Sequence, residues 1–507
     1  MNPNALIPTI DWRALAPFTI VVCTGIVALI IEMLRPRRNN NLVVGVSVLG
    51  LLVAAWTLFG MLGGPSGESF AGMVLNDRFG QILQLVMVGS CAVCFLFSEP
   101  YLREKRIPFA EFYPLALWST AGGMLMVSSK HLLMVFLGLE LLSISLYCLA
   151  GMSRHESKSE ESALKYFLLG SFASAFLLMG IAFIYGETGS LHLSRISEVL
   201  GAASGSPLSA IGAGMVLVGL GFKLALVPFH QWTPDVYQGA PTNVTAFMAA
   251  VSKVAALGAL VRFLWAIGTL DTVWFPLMWW IAIATMTVGN LAALVQKDVK
   301  RTLGYSSIAH AGYLLVGILA AFSAPGRVTL DATAFYLVSY AAMTIGAFAV
   351  VSLTASGQQE GTRFYDVRGL WKRAPWAAGC LVVFLCSLIG IPVTSGFFGK
   401  LLIFQGALEA GLPVLAIALA VNSAISTYYY LGIIQATFVA EEGAIAPKFA
   451  KPSAGLNVAC AVCLAGVLGA GVFAGPLLQG MRTEEIGAPV GVPVQERVPA
   501  VTARISK

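Results

Sequence analysis

Six ionisable side chains lie inside long apolar stretches of this sequence, where a charge is costly. Lys223 stands in GFKLALV and Lys253 in VSKVAAL. A lysine at the depth of a lipid bilayer costs roughly 3 kcal/mol on insertion scales, so such a residue marks an ion or substrate path by default. The six candidate site residues are Glu140, Lys165, Lys223, Lys253, His310 and Lys400.

Groups of these types can pass a proton through a hydrocarbon layer. A proton crosses such a layer only by way of groups that gain and lose it, joined by water. Desolvation brings the proton affinity of a lysine toward the working range, and a neighbouring carboxylate raises it again. Glu140 is therefore expected to control the protonation of a lysine through its distance. Histidine titrates near neutrality, which suits His310 as a link between two lysines.

The two central lysines flank a segment that cannot be one straight helix. Pro228, Pro234 and Pro241 each lack a backbone donor. Irregular backbone at membrane depth is tolerated only where protein buries it or water reaches it. We predict a discontinuous helix beside a hydrated cavity, as transporters use for coupling sites. A plain proline kink, with lysines that snorkel to the interface, is the alternative.

The composition implies a membrane around these residues. The chain of 507 residues is 57% hydrophobic and only 11% charged, which excludes an ordinary soluble protein. Hydropathy predicts an all-α polytopic membrane protein of about fourteen transmembrane helices, the first of them retained and not a signal peptide. The predicted spans are 15–34, 42–62, 79–98, 112–128, 131–151, 162–185, 209–228, 243–268, 273–295, 302–322, 330–355, 376–408 with a break, 411–440 and 455–476.

The positions of the breaks indicate an internal repeat. Lys223 precedes a break in the seventh helix, whereas Lys400 follows a break in the twelfth, in SLIGIPVTSGFFGK. Matching helices 4–8 with helices 9–13 gives two five-helix repeats that are inverted in the membrane. The predicted division is 1–110 with helices 1–3, 111–268 with the first repeat, 269–440 with the second, and 441–507 with helix 14 and a flexible tail.

Basic residues are concentrated in every second loop, which predicts that these loops face the cytoplasm. Both termini are then outside, on the periplasmic side in a bacterium. Arg262, near a helix end, is expected to reach the interface by snorkelling. The basic residues assigned to the cytoplasmic side are Arg35, Arg37, Arg38, Arg103, Lys105, Arg106, Arg154, Lys158, Lys297, Lys300, Arg301, Arg363, Arg368, Lys372, Arg373, Lys448 and Lys451.

The eight cysteines are typical of core packing. The motif CAVC occurs at 91–94 and at 460–463, both times inside a predicted span, and a metal or redox role for either motif is the alternative. No histidine pair has ligand spacing, and no glycine-rich nucleotide loop follows a strand. We therefore expect no metal, cofactor or redox centre in this chain.

A family resemblance rests on the broken segment and its flanks. PFHQWTPDVYQGAPTNVTAF, with GFKLALV before it and VSKVAAL after it, resembles the antiporter-like membrane subunits of respiratory complex I, the bacterial NADH-quinone oxidoreductase. LGLELLSISLY and LKYFLLGSFASA are most similar to the subunit N branch, and the resemblance covers nearly the whole chain. It implies fourteen helices with two inverted repeats in an inner-membrane assembly. FMN, iron-sulfur clusters and quinone are then expected in partner subunits.

The resemblance also implies a role for each candidate residue in proton translocation driven by quinone reduction elsewhere. The family's charged residues are an acid on the fifth helix, a lysine on the sixth, a pumping lysine on the broken seventh, a connecting lysine on the eighth, a histidine on the tenth and an outlet lysine on the broken twelfth. In that order they match Glu140, Lys165, Lys223, Lys253, His310 and Lys400.

Other interpretations stay open at the level of the sequence. The chain also resembles subunits of multi-part sodium/proton antiporters, and a purely structural membrane-arm subunit is a third possibility. Glu140 and Lys223 would then form only a buried ion pair that fixes helix packing. Lys165 would tune its neighbours without carrying protons, and His310 would be a satisfied polar core residue.

Overall fold

The structure is a computed structural model that describes residues 10–35, 41–107, 111–202, 206–324, 330–356, 359–439 and 449–481. Twelve helical segments in this part of the chain are long and apolar enough to cross a membrane, which confirms a polytopic helical membrane protein. The count of fourteen and the inverted repeats stay predictions, as does the domain division. The predicted flexible tail lies almost entirely outside the described residues. Arg37, Arg38 and Lys448 also lie outside them.

Every predicted span overlaps a helix of the structure. In the first half the helices are α1 Trp12–Leu34, α2 Asn41–Met61, α3 Arg78–Lys105, α4 Phe112–Ser128, α5 Leu132–Ala150, α6 Ser157–Thr188, α7 Leu193–Ala202, α8 Pro207–Leu224, α9 Trp232–Gly239, α10 Thr242–Phe247 and α11 Lys253–Ala266. In the second half they are α12 Asp271–Leu294, α13 Val299–Ser323, α14 Asp331–Val351, α15 Leu370–Arg373, α16 Pro375–Ile389, α17 Ser395–Glu409, α18 Pro413–Phe438, α19 Ala454–Val472 and α20 Ala474–Met481.

Two short antiparallel hairpins connect helices at the ends of the bundle. β1 (Gly67–Ser69) pairs with β2 (Val74–Asn76) between α2 and α3. β3 (Ala355–Ser356) pairs with β4 (Gln359–Glu360) between α14 and α15. Both hairpins therefore lie in connections and not within the spans.

Polar side chains define where several helices begin. The Asp77 carboxylate accepts a hydrogen bond from the Gly80 N–H (3.0 Å) at the start of α3. Asp298 accepts in the same way from the Arg301 N–H (2.9 Å) at the start of α13. Each carboxylate satisfies one of the N–H groups that the first turn leaves without an intrahelical partner.

The bundle has a layer of enclosed helices at its centre. The segment Thr242–Ala266 is entirely surrounded by other helices, and most of α13 and α14 is enclosed as well. By contrast, α1 and α2 expose most of their apolar surface, as expected of helices that face lipid. The enclosed layer contains Lys253 and His310, so these side chains are far from the lipid-facing surface.

Both predicted helix breaks are confirmed. After α8 the chain leaves the helix at Ala225, whose φ of 60° is left-handed, and α9 begins only at Trp232. A second interruption at Ala240 and Pro241 separates α9 from α10. In the second half, α16 ends at Gly390 with a φ of 95°, and α17 starts at Ser395. The positive φ suits glycine, which has no Cβ.

The expectation that Arg262 snorkels to the membrane interface is wrong. Its guanidinium is buried and donates to the Asp77 carboxylate (2.6 Å) and to the Val127 carbonyl (2.5 Å). Asp77 lies 185 residues earlier in the chain. Arg262 is therefore buried and held by a carboxylate at the start of α3, and its guanidinium is not exposed as snorkelling would require.

One end of the bundle is held together by two turns that contain histidines. The Leu193 N–H donates to the Lys130 carbonyl (2.8 Å), so the turn before α5 pairs with the turn before α7. The rings of His131 and His192 meet edge to face with centroids 4.8 Å apart. Burial, and then the neighbouring His192, lowers the pKa of His131 from its ordinary value of 6.5.

Acidification is expected to loosen this pairing. Because His131 is less basic in the folded protein than in the unfolded chain, the unfolded chain binds more protons, and stability falls as the pH drops below about 6.5. Amide hydrogen exchange at Leu193, corrected for the intrinsic rate, should be faster at about pH 5.5 than at about pH 7.5. His131→Phe should remove most of this difference. Equal protection at both pH values in the unsubstituted chain would contradict the assignment.

Candidate functional site

Lys223 is enclosed at the last turn of α8, just before the first break. Its ammonium donates to the Ser143 hydroxyl on α5 (2.8 Å) and to the Tyr166 hydroxyl on α6 (2.9 Å). It also lies 5.1 Å from the centroid of the Tyr166 ring and 5.9 Å from that of Tyr147. Hydroxyls and aromatic faces thus replace part of the hydration that Lys223 lost.

Glu140 lies one turn before Ser143 on α5 and does not contact Lys223. Its carboxylate accepts a hydrogen bond from the Ser174 hydroxyl on α6 (2.5 Å). In the described part of the chain, no ion pair within 4 Å joins Glu140 to Lys223. The interpretation of these two residues as a packing ion pair is therefore wrong, although the charge of Glu140 still acts on Lys223 across the gap.

A small cavity lies beside Lys223 and next to Ser174, the hydrogen-bond partner of Glu140. It measures about 10 Å³ and is lined by Ser143, Ser174 and Lys223, among others. This volume holds about one water molecule, and the polar lining supplies hydrogen-bond partners for it. One water could therefore connect Lys223 to the serine that binds Glu140.

Lys165 differs from the other lysines because 42% of its side chain is exposed in this chain. Its ammonium pairs with Glu161 (2.7 Å) on the same helix and with Asp235 (2.8 Å) on α9. Asp235 also pairs with Arg301 at the start of α13. The expectation that Lys165 is enclosed away from water is therefore wrong, and its carboxylate partners link α6 to α9.

Lys253 is enclosed at the start of α11, directly after a π-helical turn at Met248–Ser252. Such turns are often found at functional sites because they shift the side-chain register. The ammonium donates to the Ser307 hydroxyl (2.7 Å) and to the Ser307 carbonyl. It also lies 4.9 Å from the centroid of the Tyr340 ring. Tyr340 donates in turn to the Ser307 hydroxyl (2.8 Å).

Aromatic side chains lie between the partners of Lys223 and those of Lys253. Trp232 stacks on Tyr166 with centroids 4.6 Å apart. Tyr237, on the same short helix α9, places its hydroxyl 3.3 Å from the Ser307 hydroxyl. The broken segment therefore contacts both sides of the site: Tyr166 beside Lys223 and Ser307 beside Lys253.

His310 is fully enclosed one turn after Ser307 on α13. Its Nδ1 is 2.6 Å from the Tyr336 hydroxyl, and its Nε2 is 3.1 Å from the Tyr430 hydroxyl. Both ring nitrogens thus have a hydroxyl partner that can donate or accept, so either tautomer is accommodated. The charges of Lys400 and Lys253 both act on His310, which lies between them.

Lys400 is enclosed on α17, after the second break. Its ammonium donates to the carbonyls of Leu388 (2.8 Å) and Ile389 (2.9 Å), which end α16. It donates as well to the Ser423 hydroxyl on α18 (2.8 Å). The last carbonyls of a helix have no intrahelical partner and carry a partial negative charge, so Lys400 binds where a cation is favoured.

The structure therefore encloses four of the six candidates, Lys223, Lys253, His310 and Lys400, while Glu140 is half-buried and Lys165 is partly exposed. Sequence reasoning missed the hydroxyls that surround the amines and the imidazole. Two spacings pointed to them: Ser306 and Ser307 precede His310 by one turn, and two tyrosines are one turn apart on α14. The hydroxyl partners are Ser143, Ser174, Tyr166, Ser307, Tyr340, Tyr336, Tyr430 and Ser423.

No group of three or more His, Cys, Asp or Glu side chains is arranged to hold a metal ion in the described ranges. The two CAVC motifs lie near each other between α3 and α19, with Cys94 beside Cys463. All eight cysteines are free thiols. The polar region described above is thus the candidate site, and the thiols are separate from it.

Comparison with known proteins identifies the family. Residues 129–426 match the model of the NADH:quinone oxidoreductase/Mrp antiporter transmembrane family, a stretch that includes all six candidate residues. The chain belongs to this family.

Individual relatives agree with the family assignment. The chain is 41% identical to the NADH-quinone oxidoreductase subunit N of Trichlorobacter lovleyi, over 86% of this chain and 89% of that protein. It is 35% identical to a chain in the structure of respiratory complex I from Thermus thermophilus with bound aureothin, with a TM-score of 0.77 over 91% of this chain and 98% of that one. A chain in the Mrp complex from a Dietzia species is 22% identical, with a TM-score of 0.82 over 93% and 96% of the two chains, which shows a shared fold alone.

The position of Lys400 in this antiporter-family chain is expected to depend on Gly396. A Cβ at Gly396 would lie 2.0 Å from the Ser387 carbonyl oxygen, so α17 would have to move away from α16. Gly396→Ala should therefore lower the melting temperature of the purified protein, since overpacking costs typically about 1–3 kcal/mol.

Gly379→Ala is the matched control, because the nearest atom to its added Cβ, on Trp371, is 3.8 Å away. Melting of the two variants followed in detergent tests the packing. Equal melting temperatures for both would contradict the close approach of α17 to α16.

Proposed function

We propose that this chain is a proton-translocating membrane subunit of an NADH:quinone oxidoreductase. The observation that carries the proposal is the series of titratable and hydroxyl side chains, enclosed by helices, from Lys223 through Lys253 and His310 to Lys400. Relatives at about 40% identity that are named as subunit N of this enzyme support the same function.

Glu140 would set the protonation of Lys223 through its distance. Two opposite charges attract each other by about 4 kcal/mol at 4 Å in a medium of effective dielectric 20, and by about half of that at 8 Å. A change of about 2 kcal/mol alters a protonation equilibrium roughly thirty-fold. A modest movement of α5 relative to α8 is therefore sufficient to load or unload Lys223, and the cavity beside Ser174 leaves room for a mediating water.

The proton would then move from Lys223 to Lys253, His310 and Lys400. Ser307 binds Lys253 directly and is in contact with Tyr237 and Tyr340. His310 has a hydroxyl on each nitrogen, so it can take a proton on one side and release it on the other. Lys165 would tune the site through Asp235, because its carboxylate partners and its exposure set it apart from the enclosed series.

The remaining parts of the enzyme would come from partner subunits. This chain would act as a translocase subunit without a redox centre, next to other membrane-arm subunits and lipid. FMN, iron-sulfur clusters and quinone would bind in its partners. The basic loops favour a bacterial inner membrane location with both termini in the periplasm, so that the proton would leave near Lys400 on the periplasmic side.

Lys223→Ala is expected to abolish most coupled proton pumping, because it removes the amine that binds Ser143 and Tyr166 at the start of the proposed route. The assembled complex should be reconstituted in proteoliposomes, with quinone reduction and proton uptake measured together. Lys158→Ala, which removes an exposed lysine at the start of α6, is the control and should pump normally. Pumping and turnover at the unsubstituted level in a correctly assembled Lys223→Ala complex would show that Lys223 has no such role.

Purification under mild conditions separates the main alternative. We expect flavin and iron-sulfur chromophores to copurify with an affinity-tagged full-length chain, since the redox groups belong to partner subunits. Sodium-driven proton exchange by an assembly free of such chromophores would instead identify a secondary antiporter. A structural membrane-arm subunit would be indicated if Lys223→Ala and Lys400→Ala both left pumping unchanged.

A further inference from the structure

A surface groove lies away from the proposed proton route, where α16 and α19 begin side by side. It has a volume of about 530 Å³ and opens to the outside of the bundle. Its lining includes Arg373, Trp376, Pro452, Val458 and Ala461. We call it the α16–α19 groove. We propose that this groove binds the headgroup and upper acyl chains of an anionic phospholipid from the surrounding membrane.

The walls of the groove are apolar and exposed. The exposed fraction of both Trp376 and Val458 is 50%, and both residues are near the starts of their helices. Tryptophan at the end of a membrane span typically lies at the level of the lipid headgroups. Such walls match the glycerol and upper acyl region of a lipid, because an apolar surface at this depth is covered by hydrocarbon and not by water.

The mouth of the groove is basic. Arg373 lines the groove, and its guanidinium is held above the Phe449 ring at 5.7 Å from the centroid. Lys372 and Lys451 are exposed next to residues of the lining. No carboxylate occurs among the lining residues that the structure describes. Basic pockets between transmembrane helices at the cytoplasmic face favour anionic headgroups.

The start of α16 adds a second source of positive potential. Ala374 occupies the N-cap position and has no side chain that can accept a hydrogen bond, so the N–H groups of Trp376 and Ala377 lack a side-chain cap. Free N–H groups and the helix dipole attract phosphate at such an end. Because Trp376 and Ala377 also line the groove, a lipid phosphate can meet this helix end and Arg373 together.

Charge complementarity therefore selects an anionic lipid over a zwitterionic one. The quaternary ammonium of phosphatidylcholine would lie beside Arg373, where it is repelled, and the exposed Lys372 and Lys451 next to the lining add to the positive potential. Phosphatidylglycerol has the same phosphate without that cation. The bound lipid would join α16 to α19 at the face where both helices start, which is the end of α16 opposite to the carbonyls that hold Lys400.

Photo-crosslinking tests this site in the full-length chain, purified with its associated subunits and placed in nanodiscs. Photoactivatable phosphatidylglycerol should label peptides that contain Trp376 or Val458, and the matching phosphatidylcholine probe should label them much less. Arg373→Gln should reduce the labelling roughly fivefold, which corresponds to about 1 kcal/mol for one basic residue near an anionic lipid surface. Arg368→Gln, an equal change of charge on the same face but outside the groove, should leave it unchanged.

A second variant guards against misfolding of the first. Val458→Glu places a carboxylate on the exposed wall and should also reduce labelling by phosphatidylglycerol, while gel filtration reports whether the assembly is intact. The proposal is overturned if the two lipids label equally, or if intact Arg373→Gln and Val458→Glu assemblies label like the unsubstituted one. Displacement of the probe by millimolar inorganic phosphate would also overturn it, since the groove would then be a simple anion site.

Discussion

A charged amine that is enclosed by apolar helices must be given polar partners, and this requirement shapes the centre of the protein. In the described part of the chain, Lys223, Lys253 and Lys400 bind hydroxyls, carbonyls and aromatic faces, and none of them has a carboxylate within 4 Å. Such partners offset part of the desolvation without fixing the charge, whereas a direct ion pair holds it strongly. Direct pairs occur elsewhere, as between Lys105 and Glu156 (2.5 Å). The distinction separates lysines that are fixed by a carboxylate from the three enclosed lysines that the proposed proton route uses.

The two broken helices present their lysines in different ways. Lys223 belongs to the helix before its break and reaches sideways to hydroxyls on α5 and α6. Lys400 belongs to the helix after its break and binds the carbonyl end of the helix before it. The predicted repeats are thus not equivalent at the level of side chains. The first lysine has a carboxylate, Glu140, within electrostatic reach, while the second is coordinated chiefly by backbone and a serine.

The sequence predicted the helices, both breaks and the ionisable residues, because charges and prolines stand out against apolar stretches. It did not predict the hydroxyl partners, since serine and tyrosine are also common as plain core residues in membrane helices. Arg262 was misjudged for a related reason: its partner Asp77 lies on a distant part of the chain, and only the packing of α3 against α11 brings the two together. Lys165 was expected to be enclosed because an apolar stretch follows it, yet 42% of its side chain is exposed in this chain. Long-range packing decides each of these cases.

Lys400 forms hydrogen bonds across its helix break, so the charge of its amine affects how firmly α17 is held to α16. The carbonyls of Leu388 and Ile389 belong to α16, and the amine that binds them belongs to α17. Charge-assisted hydrogen bonds are roughly twice as strong as neutral ones, so a neutral Lys400 amine would bind the carbonyls of α16 more weakly. If Lys400 gives up a proton, as proposed, its hydrogen bonds to the end of α16 become weaker, and α16 and α17 become freer to move relative to each other.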